Sequence, residues 1–232
     1  MKLKIDNKIL EQFPSLNLGV VVVKGIDNAG ENPEIISLLT EQMNTIKTKY
    51  NLENFKELPE LRAWQEAYHS FGAKAKYTCS VENLYRMILE GVQLHHINKL
   101  VDIYNYLSLK HLVPVGGDDT DKIDGDIVLR LANGDEPFIK LGAEEVDHPK
   151  AGEVIYIDDK EVLCRRWNWR ECDKSKMTEQ TKNATLVVEG LSPVSKENIR
   201  LIVEEFGQLV KKFCGGEISI HVLNVENKEV EI

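Results

Sequence analysis

The stretch Asn98–Asp119, NKLVDIYNYLSLKHLVPVGGDD, joins an amphipathic helix to a proline, a Gly-Gly pair and two acidic residues. On a helix turning about 100° per residue, Ile97, Leu100, Val101, Ile103, Tyr104 and Leu107 cover one broad face, while Asn98, Asp102 and Asn105 gather on the other. Periodicity by itself makes that polar stripe a solvated face. The acidic run that follows, Gly116 to Asp126 (GGDDTDKIDGD), does not fit a calcium loop: after Asp119 and Asp121 the fifth position is Ile123, the glycine comes one place late, and the twelfth is Arg130. It reads as a turn whose aspartates bond the backbone, with Asp118 or Asp119 available to a ligand ammonium.

Outward toward the N-terminus, Leu18–Ile26 (LGVVVVKGI) is β-branched and reads as a buried strand. Asn32 and Pro33 open a helix with Ile36, Leu39, Met43 and Ile46 at helical spacing. Pro59–Phe71 and Val81–Leu89 read as further helices, the second capped by Ser80, with Asn83 and Arg86 on its polar side. Toward the C-terminus, Asp126–Leu131 and Glu153–Ile157 alternate in strand fashion. Asp158-Asp159-Lys160 then turns the chain back into Glu161–Arg165, a hairpin that delivers RRWNWR from its end. Lys196–Phe213 is a helix capped by Ser195 and stopped by Gly215-Gly216, and Ile218–Val225 closes as a strand. The expectation is one α+β domain over 1–232, a mixed or antiparallel β-sheet with packed helices. Residues 1–95 form a mainly helical front with one buried strand, and 96–232 hold the motif helix, the sheet and the C-terminal helix.

A chain of 232 residues buries a core without disulfides or metals. Its four cysteines form no Cys-x-x-Cys pair, and MKLKIDNKILEQFP lacks the apolar stretch of a signal peptide, so a cytoplasmic address is expected. Val20–Val23 is far short of the roughly 20 apolar residues of a membrane helix. A net charge of −9 argues against a large phosphate-gripping surface. No membrane or DNA partner is expected, and any RNA contact is small. His95-His96 lacks the i, i+4 spacing of a metal pair, so neither a metal nor a cofactor is expected.

The run Leu100-Val101-Asp102-Ile103-Tyr104-Asn105-Tyr106 with Pro114 resembles the tRNA-editing domain of phenylalanyl-tRNA synthetase β subunits, the third and fourth domains of that chain. Thr178-Glu179-Gln180-Thr181 followed by Ala184–Gly190 (ATLVVEG) is similar to the family's threonine-bearing turn and the strand that ends in a site glutamate. Pro193 and Ser195–Arg200 match its opening of a long helix. The similarity covers roughly Ser80–Arg200, and no counterpart is recognised for Met1–Ala75. The family's module hydrolyses tRNA wrongly charged with tyrosine. The resemblance implies Asn105 and Glu189 as the residues at the chemistry and Asp102 as scaffold. Tyr104 stands where the pattern has threonine, Gly116 where it has histidine, and RRWNWR where it has small residues, so tyrosine specificity does not carry over.

Glu189 ends a strand in which Leu186 and Val188 point one way and Val187 and Glu189 the other. By position alone it is a rim charge; the resemblance makes it a pocket group. In RRWNWRE, strand alternation places Arg166 and Asn168 on one side, toward the site, and Arg165, Trp167 and Trp169 on the other, where they close the sheet. A tryptophan in this run stacks a terminal adenine or walls the pocket. Tyr104, Gly116, Asp118, Arg166, Asn168 and Trp167 are thus the expected substrate-binding residues. No nucleophile pair is legible, so the implied activity is a freestanding aminoacyl-tRNA deacylase in which positioned water, assisted by the tRNA's own terminal hydroxyl, attacks the ester. The partners this implies are the charged tRNA 3′ end and a synthetase. The alternatives are a non-catalytic module binding tRNA ends, an amino acid or a synthetase, and an esterase or amidase that needs no RNA.

Overall fold

The structure is a computed structural model that describes residues 1–232. The chain opens with β1 (Lys2–Ile5), α1 (Asn7–Gln12) and β2 (Asn17–Lys24), followed by α2 (Pro33–Lys49), α3 (Pro59–Ser70) and α4 (Ser80–Leu89). The motif helix α5 (Lys99–His111) leads into β3 (Val115–Asp119), β4 (Ile127–Leu131), β5 (Phe138–Ile139), β6 (Val146–Asp147), β7 (Val154–Ile157), β8 (Val162–Arg165) and β9 (Arg170–Glu171). β10 (Ala184–Gly190), α6 (Lys196–Phe213), β11 (Glu217–Leu223) and β12 (Glu229–Glu231) follow.

The fold is α+β, with one mixed and one antiparallel sheet. The larger has the order β12-β1-β4-β7-β8-β9, with β1 parallel to β4 and every other pair antiparallel. The smaller, β11-β2-β10-β3, is antiparallel throughout. The unbroken valine run of β2 is needed because its two faces serve two cores. Val21 and Val23 join Leu186, Val188, α5 and α6, while Val20 and Val22 join Leu3, Ile127, Tyr156 and Trp167 between the sheets and the front helices. Each such valine contributes about 1.5–3 kcal/mol by burial. Ser195 and Asn198 form a reciprocal capping box that starts α6. Gly19 lets α6 lie close on β2, since a Cβ there would sit 2.4 Å from Val203 Cγ1.

Several expectations are corrected. The N-terminal part contains two strands: β1, with Leu3 and Ile5 buried, is too short to signal itself and takes its partners from β4 and β12, far along the chain. The α2 stripe begins at Ile35, which is buried, instead of Ile36. Ser80 is the first helical residue of α4, and Cys79 is its N-cap. Gly116–Asp119 forms a strand, and the turn begins only at Asp119, whose Oδ1 accepts from Asp121 N–H. The polar stripe of α5 is not solvated: Asn98 and Asp102 are each 1% exposed, whereas Ile97 is 60% exposed. Asn98 Oδ1 caps the helix at Val101 N–H (3.0 Å), and Asp102 accepts from His96 Nδ1 (2.5 Å) and the Ile97 N–H. Asp102 is scaffold.

Candidate functional site

The two sheets leave a cavity of about 560 Å³ between them, closed by the start of α4, one side of α5 and the loop after β8. Alternation along β10 turns Leu186 and Val188 into the core under α5 and α6, and turns Thr185, Val187 and Glu189 into the cavity. The larger sheet contributes Tyr156, Leu163 and Cys164 from the opposite wall.

Glu189 is 2% exposed. Its Oε1 accepts from the Tyr156 hydroxyl (2.5 Å) and its Oε2 from the Asn168 amide nitrogen (2.6 Å). Asn168 is oriented in turn, because its Oδ1 accepts from the Tyr68 hydroxyl (3.0 Å) and Ser80 N–H (3.3 Å), leaving only the NH₂ group to face Glu189. Burial raises the Glu189 carboxyl to about 7 in spite of these donors.

The loop that carries Asn168 departs from the alternation expected of it. Arg166 and Trp167 both adopt left-handed backbone, with φ of 49° and 65°, at a cost of order 1–3 kcal/mol each. The loop is held down by its side chains. The Trp167 ring packs at a steep angle against Phe13 (4.7 Å) and Trp64 (4.9 Å), and the Trp167 backbone N–H donates to Val154 O (2.6 Å). Arg165 makes a two-point pair with Glu153 (2.9 and 3.3 Å), and Arg166 reaches the same carboxylate (3.2 Å). Arg166, expected at the site, is therefore not brought to the cavity. It is buried, stacked on Tyr77 (3.9 Å) and Trp169 (4.5 Å). Trp169, expected to face away, lines the cavity with Asn168. Trp167 also lines the cavity, with its ring fully buried against Phe13 and Trp64.

Asn105 and Tyr104 line the cavity from α5, and Gly116 and Asp118 line it from β3. The Asn105 amide makes no hydrogen bond to the protein. Asp118 accepts from the Ser175 hydroxyl, and burial raises its carboxyl to about 6. Glu171, whose role the sequence did not disclose, faces Gly116 from β9; burial, then the neighbouring Asp118 carboxyl, raise it to about 7. Burial pushes the Cys164 thiol well above the usual range, which disfavours the thiolate form. Lys76, Arg86 and Arg170 stand with Tyr77 and Trp169 among the more exposed lining residues. The cavity is thus acidic within and carries cationic and aromatic groups on its exposed side. Three buried side-chain polar atoms lack a hydrogen-bond partner, Ser80 Oγ, Trp167 Nε1 and Thr185 Oγ1, and all three residues line this cavity. Buried polar atoms are almost always paired, so the lining has unused capacity for a ligand. No three His, Cys, Asp or Glu side chains converge as a metal-ligand set.

Residues 63–215 match the family model described as the B3/4 domain, a wider span than the motifs alone mark out. The phenylalanine–tRNA ligase β subunit of Fusobacterium nucleatum is 28% identical over 140 residues, 60% of this chain and 17% of that protein. That of Ureaplasma parvum is 28% identical over 117 residues, 14% of its length. The chain therefore spans less than a fifth of the curated relatives it matches. An N-terminal fragment of the phenylalanyl-tRNA synthetase β subunit from Pyrococcus horikoshii aligns over 93% of this chain and 49% of its own, with a TM-score of 0.48 and 15% identity.

Proposed function

The chain belongs to the B3/4 domain family, and on that premise we propose that it hydrolyses the ester of a mischarged aminoacyl-tRNA, acting in trans in the cytoplasm. The observation that carries this reading is Glu189, a carboxyl aimed into the cavity by two donors and raised to about 7, in a cavity also lined by the uncommitted amide of Asn105. A carboxylate poised near neutral pH is suited to orient a water and take its proton. Asn105 supplies an N–H donor for the oxygen on which charge develops.

The polarity of the cavity supports the same reading. An aminoacyl ester joins an ammonium-bearing acyl group to an anionic RNA end. The acidic interior suits the first, and Lys76, Arg86 and Arg170 suit the phosphates. Tyr77 and Trp169, with Arg166 stacked on both, form an aromatic and cationic corner against which the terminal base can pack. With a total charge of −9, the grip is confined to the end of the tRNA.

The test is a panel of tRNAs charged with correct and near-miss amino acids, with the wild-type chain compared with Glu189→Gln and Asn105→Ala. The expected result is rapid hydrolysis of one mischarged species, slowed about 10²-fold or more in Glu189→Gln. If no species is hydrolysed at high protein concentration, the reading passes to a non-catalytic module that binds a tRNA end, an amino acid or a synthetase. Tyr104 and Gly116, which replace two pocket residues of the synthetase pattern, favour that alternative.

A further inference from the structure

The acidic interior of the cavity has a second end, away from Glu189, to which the hydrolytic reading assigns no specific group. Asp118 on β3 stands directly opposite Thr185 on β10, so the two side chains leave the sheet on one face with Cβ atoms about 5 Å apart. Thr185 is 1% exposed and its hydroxyl has no partner. Glu171 comes to the same end from β9, its Oε1 3.9 Å from where a side chain on Gly116 would begin. Gly116 lies two residues from Asp118 on the same strand face, about 7 Å away.

Neither carboxyl is in a salt bridge, and the nearest cations, Lys174 for Asp118 and Arg170 for Glu171, act on them only from a distance. The Glu171 carboxyl accepts no hydrogen bond, and the Asp118 carboxyl accepts only from Ser175. The Lys174 ammonium is committed to Asp124 and Asp158, and Arg170 is exposed and lies over Trp169. Two carboxyls crowding a half-buried space repel each other when ionised, which a cation relieves. Two carboxylates and a hydroxyl together offer three acceptors, and a primary ammonium has three donors and no acceptor.

We propose that Asp118, Glu171 and Thr185 bind the side-chain ammonium of a diamino acid of about lysine length. This rests on the aminoacyl-ester reading, which places the ester at Glu189. Thr185 and Glu189 are four residues apart on β10, about 13 Å. An α-ammonium, two bonds from the ester carbon, stays beside Glu189, whereas a group at the end of a four-carbon stem reaches toward the far end.

Three amides of matched chain length test this by calorimetric titration of the full chain: hexanamide, norleucinamide and lysinamide, carrying no ammonium, the α-ammonium, and both. Lysinamide is expected to bind at least about 10-fold tighter than norleucinamide, as a charge-assisted hydrogen bond implies. That gap should close in Glu171→Gln and in Asp118→Asn, with the thermal transition retained. Equal affinity for lysinamide and norleucinamide, a gap that survives both substitutions, or no binding of any amide overturns the assignment. The probes contain neither ester nor RNA, so their binding is read independently of whether hydrolysis occurs.

Discussion

At the scale of single residues, chemistry and packing make opposite demands on neighbouring positions. Gly116 and Gly117 are adjacent on β3, yet a Cβ on Gly117 would lie 2.5 Å from Thr185 O and 2.9 Å from Leu186 Cα, while one on Gly116 meets nothing closer than Glu171 at 3.9 Å. Gly117→Ala is expected to lose about 1–3 kcal/mol in chemical denaturation, and Gly116→Ala no more than about 0.5 kcal/mol; equal losses would contradict this packing of β3 on β10. The residue scale is also where the sequence was most and least legible. Alternation of Leu186, Val187, Val188 and Glu189 revealed which face of β10 Glu189 occupies, because period two is a local property. The same alternation carries Thr185 into the cavity, a signal left unread. Glu171 gave no sign of itself, since its meaning arises only when β9 is set against Gly116.

At the scale of elements, the hairpin of β7 and β8 was legible from its Asp-Asp-Lys turn, but what it delivers was not. The count of alternating sides fails at Arg166 and Trp167, where two left-handed residues rotate the chain. That conformation is paid for by long-range contacts from Phe13, Trp64, Tyr77 and Glu153, none of which a local pattern discloses. Glu153, 4% exposed, neutralises Arg165 and Arg166 together. Glu153→Ala leaves the buried Arg166 guanidinium unpaired and Arg165 with only the exposed Asp147 carboxylate, and is expected to cost about 3–5 kcal/mol. It should also release Asn168 from Glu189, lowering ligand affinity in the fraction that remains folded. An unchanged unfolding midpoint would show that the aromatic contacts alone fix the loop. The burial of α5 has a similar origin: Asp102 is polar by sequence but interior by position, because its partners His96 and Ile97 N–H precede the helix.

At the scale of the whole molecule, the α+β class and the order of most elements followed from propensity and periodicity, whereas the sheet order depended on β1 bringing together β4 and β12. The cavity between the sheets makes stability depend on pH. Asp118, Glu171 and Glu189 have folded values of about 6, 7 and 7, above ordinary carboxylate values. The folded state holds their protons more tightly, so their contribution is complete below the ordinary range and is lost as pH rises through the folded values. Glu136 and Glu205, both lowered to about 2, act oppositely and only in stronger acid. Unfolding free energy is therefore expected to fall between about pH 5 and about pH 7.5, and the double substitution Glu171→Gln with Glu189→Gln should flatten that slope. A rising slope in the wild type would show that these carboxyls are not buried as described. The cationic groups beside the acidic interior lead to a further expectation: affinity for a tRNA end should fall as salt rises, with a shallow slope set by few phosphate contacts.

The central claim is that Glu189 acts as the base on a bound aminoacyl ester. The most direct test is the single-turnover deacylation rate of the responsive mischarged tRNA, followed from about pH 5.5 to about pH 8.5 for wild type and Glu189→Gln. The account predicts a wild-type rate that rises with pH, turns over near 7 as Glu189 ionises, and loses both that limb and about 10²-fold or more of its height in the variant. A variant that keeps the wild-type rate and pH profile would contradict it.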